Sequence, residues 1–202
     1  MKYVIISVLL LSGCVSISTI PTDYRGADAG KLVIAIGASK ETYYSSYSLL
    51  FKKRIDQVSQ FATGRLIYFQ GNLFYSQDPD YINDKENGVI LISSLPSGDY
   101  DIFNFDLFDF NNIHYSSRTP ISIPFTIKPN QVTYIGNYQA NSIPTKNSFG
   151  MTSFAWGYFV TENRANQDLE IARKKDPSIS KFDINSAPAA HQIKNQFFRS
   201  SP

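Results

Sequence analysis

Ile121-Ser122-Ile123-Pro124-Phe125-Thr126-Ile127-Lys128-Pro129-Asn130-Gln131-Val132-Thr133-Tyr134 is the stretch on which the fold turns. Ile121, Ile123, Phe125 and Ile127 alternate strictly, and side chains of a strand point to opposite faces in turn, so this is a half-buried strand. Pro120 and Pro124 fall on the other face. Proline has no N–H for a ladder, which places the strand at a sheet edge or a bulge. Pro129-Asn130 then turns the chain, asparagine tolerating a left-handed backbone, into a second strand, Val132 to Tyr138.

The same period extends outward. Lys31 to Gly37 carries Leu32, Ile34 and Ile36; Tyr43 to Phe51 puts Tyr43, Ser45, Tyr47, Leu49 and Phe51 on one face; Leu66 to Phe69 is a short strand before Gly71. Val89 to Leu95 lies between Glu86-Asn87-Gly88 and Pro96-Ser97-Gly98, and Tyr100 to Phe110 is apolar on both sides in its middle, as a central or bulged strand would be. Phe154, Trp156, Tyr158 and Val160 share one face of a last strand. One helix follows over 164–175, with Ala165, Leu169 and Ala172 at helical spacing, Glu170 paired with Lys174, Arg173 to Lys175 at the C-terminal dipole and Asp176-Pro177 as the stop. With turn signals between the strands and no βαβ alternation, the chain reads as mainly β, an antiparallel β-sandwich of about seven or eight strands with one C-terminal helix.

At the front, Met1 and Lys2 precede an apolar run from Tyr3 to Leu11. A membrane span needs roughly 20 apolar residues, so the run is too short to cross and fits the core of a secretory signal. Leu11-Ser12-Gly13-Cys14 follows, and it holds the only cysteine of the 202 residues. It resembles the lipobox of bacterial lipoproteins, which implies a signal peptide over 1–13 and a diacylglycerol on the Cys14 thiol. Val15 stands where an Asp commonly signals inner-membrane retention, so the resemblance implies the outer membrane of a Gram-negative envelope. Residues 14–30 then read as the lipidated cysteine and a flexible tether rich in Ser, Thr, Gly and Ala, 31–177 as the domain, and 178–202 as a C-terminal extension of little regular pattern.

Three further segments carry a second resemblance. Leu95-Pro96-Ser97-Gly98-Asp99-Tyr100-Asp101-Ile102, the run from Ile123 to Asn137, and Asp168-Leu169-Glu170 opening the charged helix are similar to a group of bacterial lipoproteins. Their domain resembles transthyretin-like and carboxypeptidase-regulatory-like sandwiches. The resemblance brings no catalytic motif and no residue to transfer.

The chain is poor in groups for chemistry. Its net charge is +2, and the basic runs stop at Lys52-Lys53-Arg54 and Arg173-Lys174-Lys175, whereas a polyphosphate partner asks for a sustained basic face, so nucleic acid is not expected. Neither of the two histidines, His114 in a polar loop and His191 in the tail, accompanies a Gly-x-Ser-x-Gly elbow. No zinc set and no Gly-rich phosphate loop is present, so no metal and no cofactor is expected. Asp99, Asp101, Asp106, Asp109, Asn111 and Asn112, and separately Asp78, Asp80, Asp84 and Glu86, are oxygen clusters that read as solvated strand ends in preference to calcium loops. Thirteen Tyr and fifteen Phe serve packing first, with Tyr44, Tyr75 and Tyr81 as a candidate ligand platform.

These features lead to a lipid-anchored cell-envelope protein, attached to the membrane through its N-terminal lipid, whose sandwich binds or braces an envelope protein or cell-wall component without catalysis. The edge strand at Ile121–Ile127 suits β-augmentation. The alternatives are a periplasmic hydrolase using loop carboxylates and an assembly lipoprotein of a secretion machine.

Overall fold

The structure, a computed structural model, describes residues 18–42, 44–54, 62–71, 76–109, 114–146, 148–150, 152–187 and 197–200. Leu11, Ser12, Gly13, Cys14, Tyr43, Tyr75, Asn111, Asn112 and His191 lie outside them.

The chain is a β-sandwich. One sheet runs β1 (Ser18–Thr19), β4 (Ala62–Phe69), β3 (Ser46–Lys53) and β7 (Gly98–Phe108), with β8 (His114–Ser116) and β9 (Ile123–Ile127) side by side along the far flank of β7. The other runs β13 (Phe198–Ser200), β11 (Thr152–Glu162), β10 (Gln131–Lys146), β2 (Ala29–Ser39), β6 (Glu86–Pro96) and β5 (Tyr81–Ile82), with β12 (Asp183–Ser186) against the first half of β10. Most pairings are antiparallel, but β1 on β4, β2 on β10, β12 on β10 and β13 on β11 are parallel.

The main core fills the space between the sheets. Leu32, Ile34, Ile36 and Ala38 of β2 face Tyr47, Leu49 and Phe51 of β3 and Tyr100, Ile102, Phe105 and Leu107 of β7. The inward set of β7 switches from even to odd numbers because the ladder with β3 shifts register between Leu50 and Phe51. That bulge is why the strand reads as apolar on both sides, since one extra residue exchanges the two faces. β2 is apolar on both faces because α1 (Ala165–Lys175) and the 3-10 turn Pro177–Lys181 cover its back, where Val33 and Ala35 meet Leu169, Ala172 and Ile179.

β9 is the edge strand that its prolines require. It pairs with β7 alone, with Tyr100 opposite Phe125 and Asp101 opposite Pro124. Closely and widely spaced pairs alternate along such a ladder, so Pro124, which has no N–H, sits where that group would point outward. The Thr126 carbonyl accepts a hydrogen bond from Thr133 Oγ1 at 2.9 Å. On the free side of β9, Pro124 thus offers no donor and the Thr126 carbonyl is engaged.

One segment reading is corrected. Residues 18–30 are not tether: β1 pairs with β4, Ile20 is buried in the main core, and Asp23 bridges Ser94. Their small polar composition concealed one apolar anchor. Within 178–202, Ile179 packs under α1, and Phe198 enters the main core stacked on Phe159 with ring centres 5.5 Å apart. Within residues 157–161 of β11, Gly157, Phe159 and Thr161 are buried, while Tyr158 and Val160 are half-buried on the opposite face.

Candidate functional site

A second bulge builds a polar interior beneath α1. The ladder of β10 with β2 shifts between Tyr134 and Asn137, where Gly136 takes φ of 120°. A side chain is strained in that region and glycine is not. The shift places Tyr134, Asn137 and Gln139 together beneath α1, while Ile135, Tyr138 and Ala140 stay in the main core.

α1 lowers Asp168 onto this floor. Tyr134 Oη donates to Asp168 Oδ2 at 2.6 Å and Asn137 Nδ2 approaches both carboxylate oxygens at 3.3 and 3.4 Å. Asp168 is 3% exposed. Its burial raises the carboxyl above its ordinary value, opposed by the bonds from Tyr134 and Asn137 and by the charge of Arg164. Gln139 Nε2 donates to Asn137 Oδ1 and to Tyr81 Oη, both at 2.5 Å. Tyr81 reaches there because Gly37 and Gly88 pass beneath its ring: a Cβ on Gly88 would lie 2.3 Å from its hydroxyl.

At the edge of this network Arg164, whose backbone N–H donates to Tyr134 Oη at 3.3 Å, joins three elements, bonding Glu86 of β6 through both terminal nitrogens and Glu162 of β11 through Nε. Two adjoining hollows open here. One, of 250 Å³, is lined by Ser39, Lys85, Glu86, Gln139, Asn141, Val160 and Glu162. The other, of 330 Å³, is lined by residues 163–167 before and at the start of α1. Gln139 Oε1 is buried without a hydrogen-bond partner. The cleft offers amide, hydroxyl and ammonium groups, and its two carboxylates are already bound to Arg164. That is a surface for hydrogen-bonded contact with a polar group, and it places no nucleophile beside a base.

Of the three tyrosines read as a platform, Tyr75 lies outside the described residues, and Tyr44 and Tyr81 do not offer free rings. Tyr44 is fully buried, its ring edge-on to Tyr47 and Tyr115 at 6.1 and 5.8 Å. Tyr81 is half-buried and committed to Gln139 and Asn137. Tyr44 lies before β3, which begins at Ser46, so the strand's alternation does not set where its side chain goes.

The acidic groups also separate, each toward its own partner. Asp99 accepts from Thr126, Asp101 from Ser122, and Asp106 from Arg65 at 2.7 Å; Asp80 takes the Ile90 N–H and Lys175 Nζ. Asp101, Asp106 and Asp109 are buried, not solvated. Among the described residues no three His, Cys, Asp or Glu side chains are grouped to hold a metal ion. His114 is not a loop residue: it lies on β8, its Nε2 is 2.6 Å from Asp106 Oδ1, and its ring stacks on Phe108 at 4.8 Å.

The network under α1 went unread in the sequence, although one signal was present. Asp168 falls with Ala165, Leu169 and Ala172 on the helix stripe that faces the sheet, and a carboxylate there needs partners. Arg164 gave no such sign, because its partners are distant in sequence. No protein-family model matches the chain, and no curated protein matches it.

Proposed function

We propose that the chain is a lipid-anchored envelope protein, fixed to a membrane through Cys14, whose sandwich makes a non-enzymatic contact with an envelope protein or cell-wall component. The observation that carries this reading is Leu11-Ser12-Gly13-Cys14 directly behind the apolar run Tyr3 to Leu11. A single acyl chain holds a protein only marginally, at about 0.8 kcal/mol per buried methylene, and stable attachment takes more than one chain, as a diacylglycerol thioether provides. The cleft of Ser39, Lys85, Gln139 and Asn141 is the contact surface on this reading, because its groups hydrogen-bond and its acids are neutralised by Arg164.

The test is metabolic labelling of producing cells with an alkyne fatty acid, comparing the native chain with Cys14→Ser. The label is expected on the native chain and absent from the variant. Equal labelling of both, or of neither, removes the foundation of the proposal.

A further inference from the structure

We infer that the end of the sandwich holding Ser18, Arg54 and Lys128 is the face laid against the lipid surface, and that the Lys85–Gln139 cleft opens away from it. This rests on the lipid anchor proposed above and adds the orientation of the domain.

The argument is one of chain length and of where the fold begins. Ser18 is already paired, opposite Ala62 at the start of β4. From Cys14 to Ser18 the chain spans at most about 3.6 Å per residue, on the order of 14 Å in all. A lipid on Cys14 therefore holds Ser18 within about 14 Å of the headgroups, and the domain has no long tether on which to turn over.

The ladders show which end that is. Thr63 lies opposite Lys52, Lys53 opposite Tyr100, Gly98 opposite Ile127, and Ala29 opposite Pro96. Ser18, Arg54, the turn at Ser97 and Lys128 thus share one end. The other end carries Ser39 opposite Glu86, the Lys40 N–H bonded to the Lys85 carbonyl at 2.8 Å, and the cleft. β2 joins the two with 11 residues, which at about 3.3 Å each is roughly 35 Å. The cleft consequently stands well clear of the bilayer.

Charge does not set this orientation. Arg54 and Lys128 are exposed at the lower end, but so are Asp23 and Asp99. Anionic lipid gives about 1 kcal/mol for each basic side chain near the surface, and the acids there oppose it. The tether decides.

The experiment uses the full-length lipidated chain, purified from the envelope and placed in vesicles that contain nitroxide-headgroup lipid. A fluorescent non-natural amino acid replaces Lys128 in one preparation and Lys40 in another. Quenching is expected to be several-fold stronger at 128 than at 40, and to remain so in 1 M salt, where screening reaches about 3 Å. Equal quenching, stronger quenching at 40, or a contrast abolished by salt overturns the orientation. Failure of the anchor is read separately, as an unmodified Cys14 by mass. In that event the same two probes are compared after coupling the Cys14 thiol to maleimide-headgroup lipid, which restores the same short span and still decides the orientation.

Discussion

Replacing Phe198 with alanine tests whether the C-terminal residues belong to the fold. Phe198 is 1% exposed, stacked on Phe159 and edge-on to Phe105 and Tyr138, each at 6.1 Å. Burying a phenylalanine side chain is worth about 1.5–3 kcal/mol by transfer alone. Truncation also leaves a cavity, and measured Phe-to-Ala costs in packed cores are about 3–5 kcal/mol. The hole here is walled by three aromatic rings held on β7, β10 and β11, which cannot collapse into it without moving both sheets. The upper half of that range is therefore expected, a large part of the roughly 5–15 kcal/mol that holds a domain together. Urea unfolding followed by fluorescence reads it directly. With a slope of about 2–3 kcal/mol/M the midpoint is expected to fall by roughly 1.3–2.5 M without a change of slope. A shift below about 0.4 M would show that Phe198 lies loosely on the surface, and the assignment of β13 to the core would be wrong.

Further expectations concern the network under α1 and one turn. Asp168→Ala removes the acceptor of Tyr134 Oη and Asn137 Nδ2, at about 1–3 kcal/mol for each group left unpaired. Because burial raises the Asp168 carboxyl, the folded state holds that proton more tightly than the unfolded one, so this group's stabilisation is complete below the unfolded value near 4 and declines as pH rises through the raised value. The unfolding free energy of the native chain minus that of Asp168→Asn should accordingly fall from acid toward neutral pH in parallel urea titrations, and a difference that grows with pH contradicts the assignment. Asn130 has φ of 55°; Asn130→Ala is expected to cost about 1 kcal/mol in thermal unfolding and Asn130→Gly to be neutral or stabilising, the reverse order excluding a strained turn.

What the sequence disclosed follows the local rules of the chain. Alternation at Ile123–Ile127 with Pro124 on the outer face located β9 and its edge position, and Asp176-Pro177 set the end of α1 at Lys175. What it concealed depends on bulges and on distant partners. A one-residue shift exchanges the faces of a strand, so the shifts in β7 and at Gly136 could not be phased by counting alternate residues. Over residues 157–161 of β11 the buried face carries Gly157, Phe159 and Thr161 and the other face Tyr158 and Val160, so side-chain size alone does not mark the core face. Ile20 is a single anchor in polar surroundings, and Phe197-Phe198 a lone aromatic pair, both below any periodic signal. The cleft joins Ser39 of β2, Lys85 of the turn before β6, Gln139 of β10 and Glu162 of β11, a conjunction only the folded topology creates.

Intact-mass and peptide mass spectrometry of the chain extracted from its native envelope addresses the central claim at its source. The account requires an N-terminal peptide beginning at Cys14 and heavier by a thioether-linked diacylglycerol, with residues 1–13 gone. A leader still attached, or a mature chain with a free Cys14 thiol, would contradict it.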